Sequence, residues 1–91
     1  MERLTTTKTL ALYYEPILGI YFVGNWKINT IVFECHEFRT LTLWAVHNNE
    51  YDAEELSQIV GTAAMFITEQ GLRYKNLLDS IFQNNDTTNE A

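Results

Sequence analysis

The sequence predicts an α+β domain: three or four antiparallel strands followed by one long C-terminal helix. Three observations carry this. The first half of the 91-residue chain concentrates β-branched and aromatic residues in short runs broken by turn-forming residues. The second half carries an apolar stripe at helical spacing, Leu56, Val60, Ala63, Ile67, Gln70, Tyr74, Leu77 and Ile81, alternately four and three apart. Strands gathered at one end of a sequence and helix at the other is the signature of a segregated α+β arrangement.

The first predicted strand is Thr9 to Tyr14, ended by Glu15 and Pro16, since proline lacks the donor that a ladder needs. Ile17 to Val23 reads as the second, and Gly24-Asn25 is a pair suited to closing a hairpin. The returning strand is Trp26 to Cys35, with Ile31, Phe33 and Cys35 on one face. After a turn at His36 to Arg39, the alternation of Thr40, Thr42, Trp44 and Val46 against Leu41, Leu43 and Ala45 predicts a last strand. Its threonine-rich side suits an exposed sheet face, on which Trp44 is expected. The competing assignment puts Ile28 to His47 in a helix, against the helix-disfavouring tendency of its many β-branched residues.

His47 to Glu50 is a loop, and Asp52 with Glu55 three residues later forms a capping-box pattern that starts the long helix. Tyr51 and Leu56 occupy the positions of a hydrophobic staple, and Glu54 and Glu55 complement the positive end of the helix dipole. From Asp52 to Phe82 such a helix runs roughly 46 Å at ~1.5 Å per residue, in a chain whose compact globule is only ~30 Å across. The helix therefore either bends or breaks at Gly71, or projects and needs a partner. Residues 1–83 form one domain; residues 84–91 hold no large apolar side chain and are expected to be a frayed tail.

Six Lys plus Arg against 12 Asp plus Glu give a formal charge of -6, which argues against direct binding of nucleic acid. Cys35 is the single cysteine, so no intrachain disulfide forms and a reducing, cytoplasmic setting is expected. Leu10 to Val23 is apolar enough to raise the question of a targeting segment, but Glu15 and Pro16 interrupt it. The longest uncharged run, Leu56 to Thr68, is too short and too polar to cross a bilayer.

Cys35 and His36 are adjacent on a strand and point to opposite faces, which leaves Cys35 with His47 as the only nucleophile and base pairing to consider. Glu34, Cys35, His36, Glu37 and His47 contain metal-ligand atoms without a ligand spacing, so no metal and no cofactor is expected. Capping accounts for the acidic cluster at Glu50, Asp52, Glu54 and Glu55 better than acid and base catalysis does.

The expected function is that of a small acidic, non-enzymatic protein-binding module: an inhibitor, immunity-type or regulatory protein that occludes a protein partner. Tyr13, Tyr14, Trp26 and Trp44 are its candidate aromatic anchors, and Glu50, Asp52 and Glu54 its candidate acidic contacts. One helix cannot cover both faces of a sheet, so a homodimer is expected as well. The alternatives are a structural or accessory subunit of a larger assembly, or a small-molecule sensor with a pocket between sheet and helix.

Overall fold

The computed structural model describes residues 1–90, with side chains through Phe82. The tail expected over residues 84–91 lies outside the residues whose side chains are described. Four strands, β1 (Glu2–Thr6), β2 (Leu10–Glu15), β3 (Ile20–Asn25) and β4 (Thr30–Cys35), are followed by helices α1 (Phe38–His47) and α2 (Ala53–Glu90). The sheet is an antiparallel meander in the order β1-β2-β3-β4. The α+β class and the antiparallel sheet followed by a long helix are as the sequence predicts.

Each turn follows from its residues. Glu15 ends β2 before Pro16, its carboxylate accepts the Ile17 N–H at 3.0 Å, and Gly19 closes the turn at φ +65°. Ile17 and Leu18 therefore lie in this turn and not in a strand. Gly24 and Asn25 stay in the ladder, opposite Ala11 and Leu10, and the turn begins two residues later than expected, over Trp26 to Asn29. Asn25 still shapes it: its side-chain oxygen accepts the Lys27 N–H at 3.1 Å, and Asn29 takes the left-handed φ of 53°.

The period-two side-chain rule then sorts the sheet into two faces. Across the strands, Tyr14, Tyr21 and Cys35 share a row, as do Leu12, Val23 and Phe33, and these pack under the helices. Arg3, Tyr13, Phe22 and Glu34 form a row on the opposite face. A register shift between Val23 and Gly24 sets Ile31 opposite Gly24, so Ile31 leaves the face that it was expected to share with Phe33 and Cys35.

Residues 38–47 are helix, not the strand predicted for Thr40 to Val46. Phe38, Leu41, Thr42 and Ala45 have the i, i+3, i+4, i+7 spacing of one helical face, and Leu41 and Ala45 are buried. Thr42 donates its hydroxyl to the Phe38 carbonyl at 3.0 Å, which accommodates the residue type that spoke most strongly for a strand. Trp44 is accordingly not on an exposed sheet face. It stacks on Phe33 at 4.9 Å and 12° and seals α1 against β4.

Asp52 starts α2 as expected, its carboxylate accepting the Glu54 N–H at 3.2 Å. Glu55 does not complete a capping box. It turns into the β1–β2 connection, where it accepts the Thr7 hydroxyl at 2.6 Å and the Thr9 N–H at 2.7 Å. The core lies between the sheet and the first turns of α2, with Leu10, Leu12, Val23, Leu41 and Ile59 fully enclosed. Phe66 is the last α2 residue on it, 4.9 Å from the Tyr14 ring. The helix does not break at Gly71; it continues beyond the domain and gives the molecule extents of 61 × 22 × 19 Å.

Candidate functional site

Both helices pack on one face of the sheet, and among the described residues nothing covers the other. That open face is built around Tyr13, Phe22, Trp26 and Ile31. Ala11 and Gly24 supply its floor: Ala11 is only 1% exposed, and a side chain added at Gly24 would meet both Tyr13 and Ile31 at 3.6 Å. Trp26 is held in place at two points. Its N–H donates to the Thr9 carbonyl at 3.1 Å, and its indole Nε1–H donates to the Thr7 carbonyl at 2.9 Å. About half of the side chain stays in water nonetheless, with Lys27 Nζ 5.9 Å from the ring centre. An aromatic residue fixed in one rotamer and left half-exposed has already lost the freedom that binding would remove.

Shallow clefts flank this tryptophan. One, of about 240 Å³, is bounded by Met1, Tyr13, Gly24 and Ile31; the other, of about 290 Å³, by Arg3, Thr6, Ala11 and Tyr13. The face therefore offers apolar side chains and two notches with sparse charge at the rim. No protein family, curated protein or solved structure matches this chain. What the surface can do is argued from its residues alone.

The structure separates the residues singled out in the sequence. Tyr13 and Trp26 meet on the open face. Tyr14 points the opposite way, 4.9 Å from Tyr21 and from Phe66, and Trp44 is on α1 against Phe33. Neither is available as a sheet-face anchor. Glu50 stays in the loop before α2 with its N–H on the Asn48 side chain, while Asp52 and Glu54 lie at the start of α2, beside Thr7 and Lys8 of the β1–β2 turn. There Lys8 Nζ donates to Asp52 at 2.9 Å; this hydrogen bond holds the carboxyl below its usual range and the ammonium above its own. Phe22 and Ile31 were not singled out. Phe22 is the direct cross-strand partner of Tyr13, which is apparent only once the β2–β3 register is known, and Ile31 is hidden by the register shift.

Cys35 faces the core, its thiol 3.4 Å from the Glu37 carbonyl, and burial pushes its pKa up. His47 stands at the far end of α1, with Nδ1 3.1 Å from the Leu43 carbonyl. The ten-residue helix between them spans roughly 14 Å, so the Cys35 and His47 pairing is not assembled. Among the described residues no three His, Cys, Asp or Glu side chains converge on a common point. Among the described residues no helix is long and apolar enough to cross a membrane.

A third surface lies between the helices. The cleft between α1 and α2, of about 520 Å³, is lined by Ala45, Val46, Tyr51, Leu56, Val60 and Gly61. It is open to solvent along one side and runs between two helices, not between helix and sheet.

Proposed function

We propose that this chain is a non-enzymatic protein-binding module that occludes a partner through its open sheet face, in the manner of an inhibitor, immunity-type or regulatory protein. The observation that carries the reading is the twice-bonded, half-exposed Trp26 beside Tyr13, Phe22 and Ile31 on a face that none of the described residues covers. Aromatic anchors flanked by notches are what interface hot spots are made of. The formal charge of -6 favours encounter with a basic partner, and the single buried thiol suits a reducing, cytoplasmic compartment.

The test is site-specific photo-crosslinking in the native cell, with the photoreactive residue at Phe22 or Ile31 and a control at Asn49 on the α1–α2 loop. The reading expects one heterologous protein cross-linked from both sheet positions and not from the loop, and its loss in the Tyr13→Ala/Trp26→Ala variant. The same adducts from all three positions would overturn it. A second reading, small-molecule sensing, is favoured by the cleft between α1 and α2; it expects a ligand whose stabilising effect disappears in Val60→Trp.

A further inference from the structure

Positive charge left without a partner collects around Trp26, although the chain as a whole is acidic. Of the six Lys and Arg side chains, Lys8 and Arg73 are paired with carboxylates. Arg3 lines a cleft together with Trp26, Lys27 Nζ lies 5.9 Å from the centre of its ring, and neither cation forms an ion pair among the described residues. The acids of the neighbourhood are occupied, distant or turned away. Glu15 takes the Met1 amino group at 3.4 Å and the Ile17 N–H at 3.0 Å. Glu2 is in register with Tyr14, on the helix side of the sheet. Glu34 ends the row of Arg3, Tyr13 and Phe22 three strands away, roughly 14 Å at ~4.8 Å per spacing. Asp52, Glu54 and Glu55 belong to α2 on the other side of the sheet, where Asp52 takes Lys8 and Glu55 takes Thr7 and Thr9.

The cleft that Arg3 lines, of about 290 Å³, has Ala11 as its floor, Tyr13 and Trp26 as walls and Thr6 beside the guanidinium. Its walls are set before anything binds. Two hydrogen bonds hold Trp26, Tyr13 leans over Gly24, and the ladder fixes Arg3 opposite Tyr13 and Thr6 opposite Ala11. A guanidinium presents a planar fork of N–H donors that matches a carboxylate, and the Thr6 hydroxyl can donate to the same group. A single guanidinium, without the arginine cluster that recognises phosphorylated segments, suits one carboxylate. We propose that this cleft takes an acidic side chain, Asp or Glu, from an otherwise apolar segment of a protein partner. The inference rests on the sheet-face reading above and adds to it the chemistry of the contact. It is compatible with the formal charge of -6, because summed charge steers approach from a distance while the groups at the contact decide what fits.

Nuclear magnetic resonance of the full, ¹⁵N-labelled chain tests the cleft, with the Trp26 indole N–H assigned through Trp26→Phe. The probes are acetyl-Leu-Glu-Leu-amide, its glutamine counterpart, and 3-phenylpropionate as a free acid. The glutamate peptide should shift the Trp26 indole and Thr6 signals saturably and leave the Trp44 indole in place. Its binding should weaken about fivefold in the glutamine peptide and about fivefold in Arg3→Gln, the size of one exposed ion pair. Lys75→Gln, which removes the same charge far along α2, should leave it unchanged. The absence of a saturable shift, equal binding of the two peptides, or equal weakening by Lys75→Gln overturns the proposal. Binding of 3-phenylpropionate without binding of the peptide overturns the protein source and assigns the cleft to a free organic acid. In the cell, adducts from Phe22 and Ile31 that persist in Arg3→Gln would overturn the acidic contact and leave the sheet-face reading standing; no sheet-specific adduct in the wild type would overturn both.

Discussion

Removing the Glu55 carboxylate should unfasten the β1–β2 turn from the start of α2. Glu55 is 6% exposed and receives the Thr7 hydroxyl at 2.6 Å and the Thr9 N–H at 2.7 Å, joining residues 46 and 48 positions apart. Hydrogen bonds to a charged group contribute about 1.5–3 kcal/mol each. Two things reduce the total. Burial opposes the charge, and the freed Thr7 hydroxyl can fall back on the Leu10 carbonyl 3.2 Å away. Glu55→Ala should therefore destabilise the chain by about 2–4 kcal/mol, a large share of the roughly 5–13 kcal/mol available to a chain of this length.

The assay is urea unfolding at fixed protein concentration, followed by far-UV circular dichroism and by the combined fluorescence of Trp26 and Trp44. The pH dependence has a defined sign. Burial pushes the Glu55 pKa up, but the bonds from Thr7 and Thr9 and the Lys8 charge outweigh it, so the net shift is downward. Its stabilisation is then complete above the ordinary carboxyl value and is lost as pH falls through the folded-state value. Wild type should exceed Glu55→Gln at neutral pH and converge with it in acid. A Glu55→Ala variant as stable as wild type, or a gap to Glu55→Gln that stays constant into acid, would refute the reasoning.

Trp44→Ala removes the stack on Phe33 and should destabilise by about 2–4 kcal/mol, with loss of near-UV circular dichroism. Gly61→Ala adds a side chain where nothing lies within 4 Å, so thermal unfolding should show a gain of up to ~1 kcal/mol; a lower melting temperature would reveal a neighbour at that position. The buried Cys35 thiol, with its raised pKa, should react with a disulfide reagent far more slowly in the native chain than in urea, and native-state reactivity equal to the unfolded rate would contradict its burial.

The elements whose signals are local were legible in the sequence. Pro16 ended a strand, Asp52 opened the long helix, and the 4-3 spacing from Leu56 to Ile81 foretold a helix too long for its own domain. What was not legible depended on partners distant in sequence. Glu2 to Thr6 becomes a strand because β2 offers it an edge, and its own composition carried no strand signal strong enough to stand alone. Residues 40–46 satisfy both a two-residue and a 3.6-residue period, and the helix prevails because Leu41 and Ala45 bury against the sheet while Thr42 bonds back to Phe38. Of the candidate anchors, Tyr13 and Trp26 were found by residue type. Their separation from Tyr14 and Trp44 needed the register and the change from strand to helix. Glu55 had the right spacing for a capping box, but a buried hydroxyl and a turn N–H brought close by folding are the partners it takes.

The central claim is that α2 outlasts its domain: the helix runs on through Gly71, while Phe66 is its last described residue against the core. Amide hydrogen exchange measures this directly, since an isolated helical segment of about 16 residues is marginal in water. In dilute protein, residues 67–82 should exchange far faster than residues 55–63. Protection over 67–82 equal to that over 55–63, in a chain that light scattering shows to be monomeric, would contradict the account.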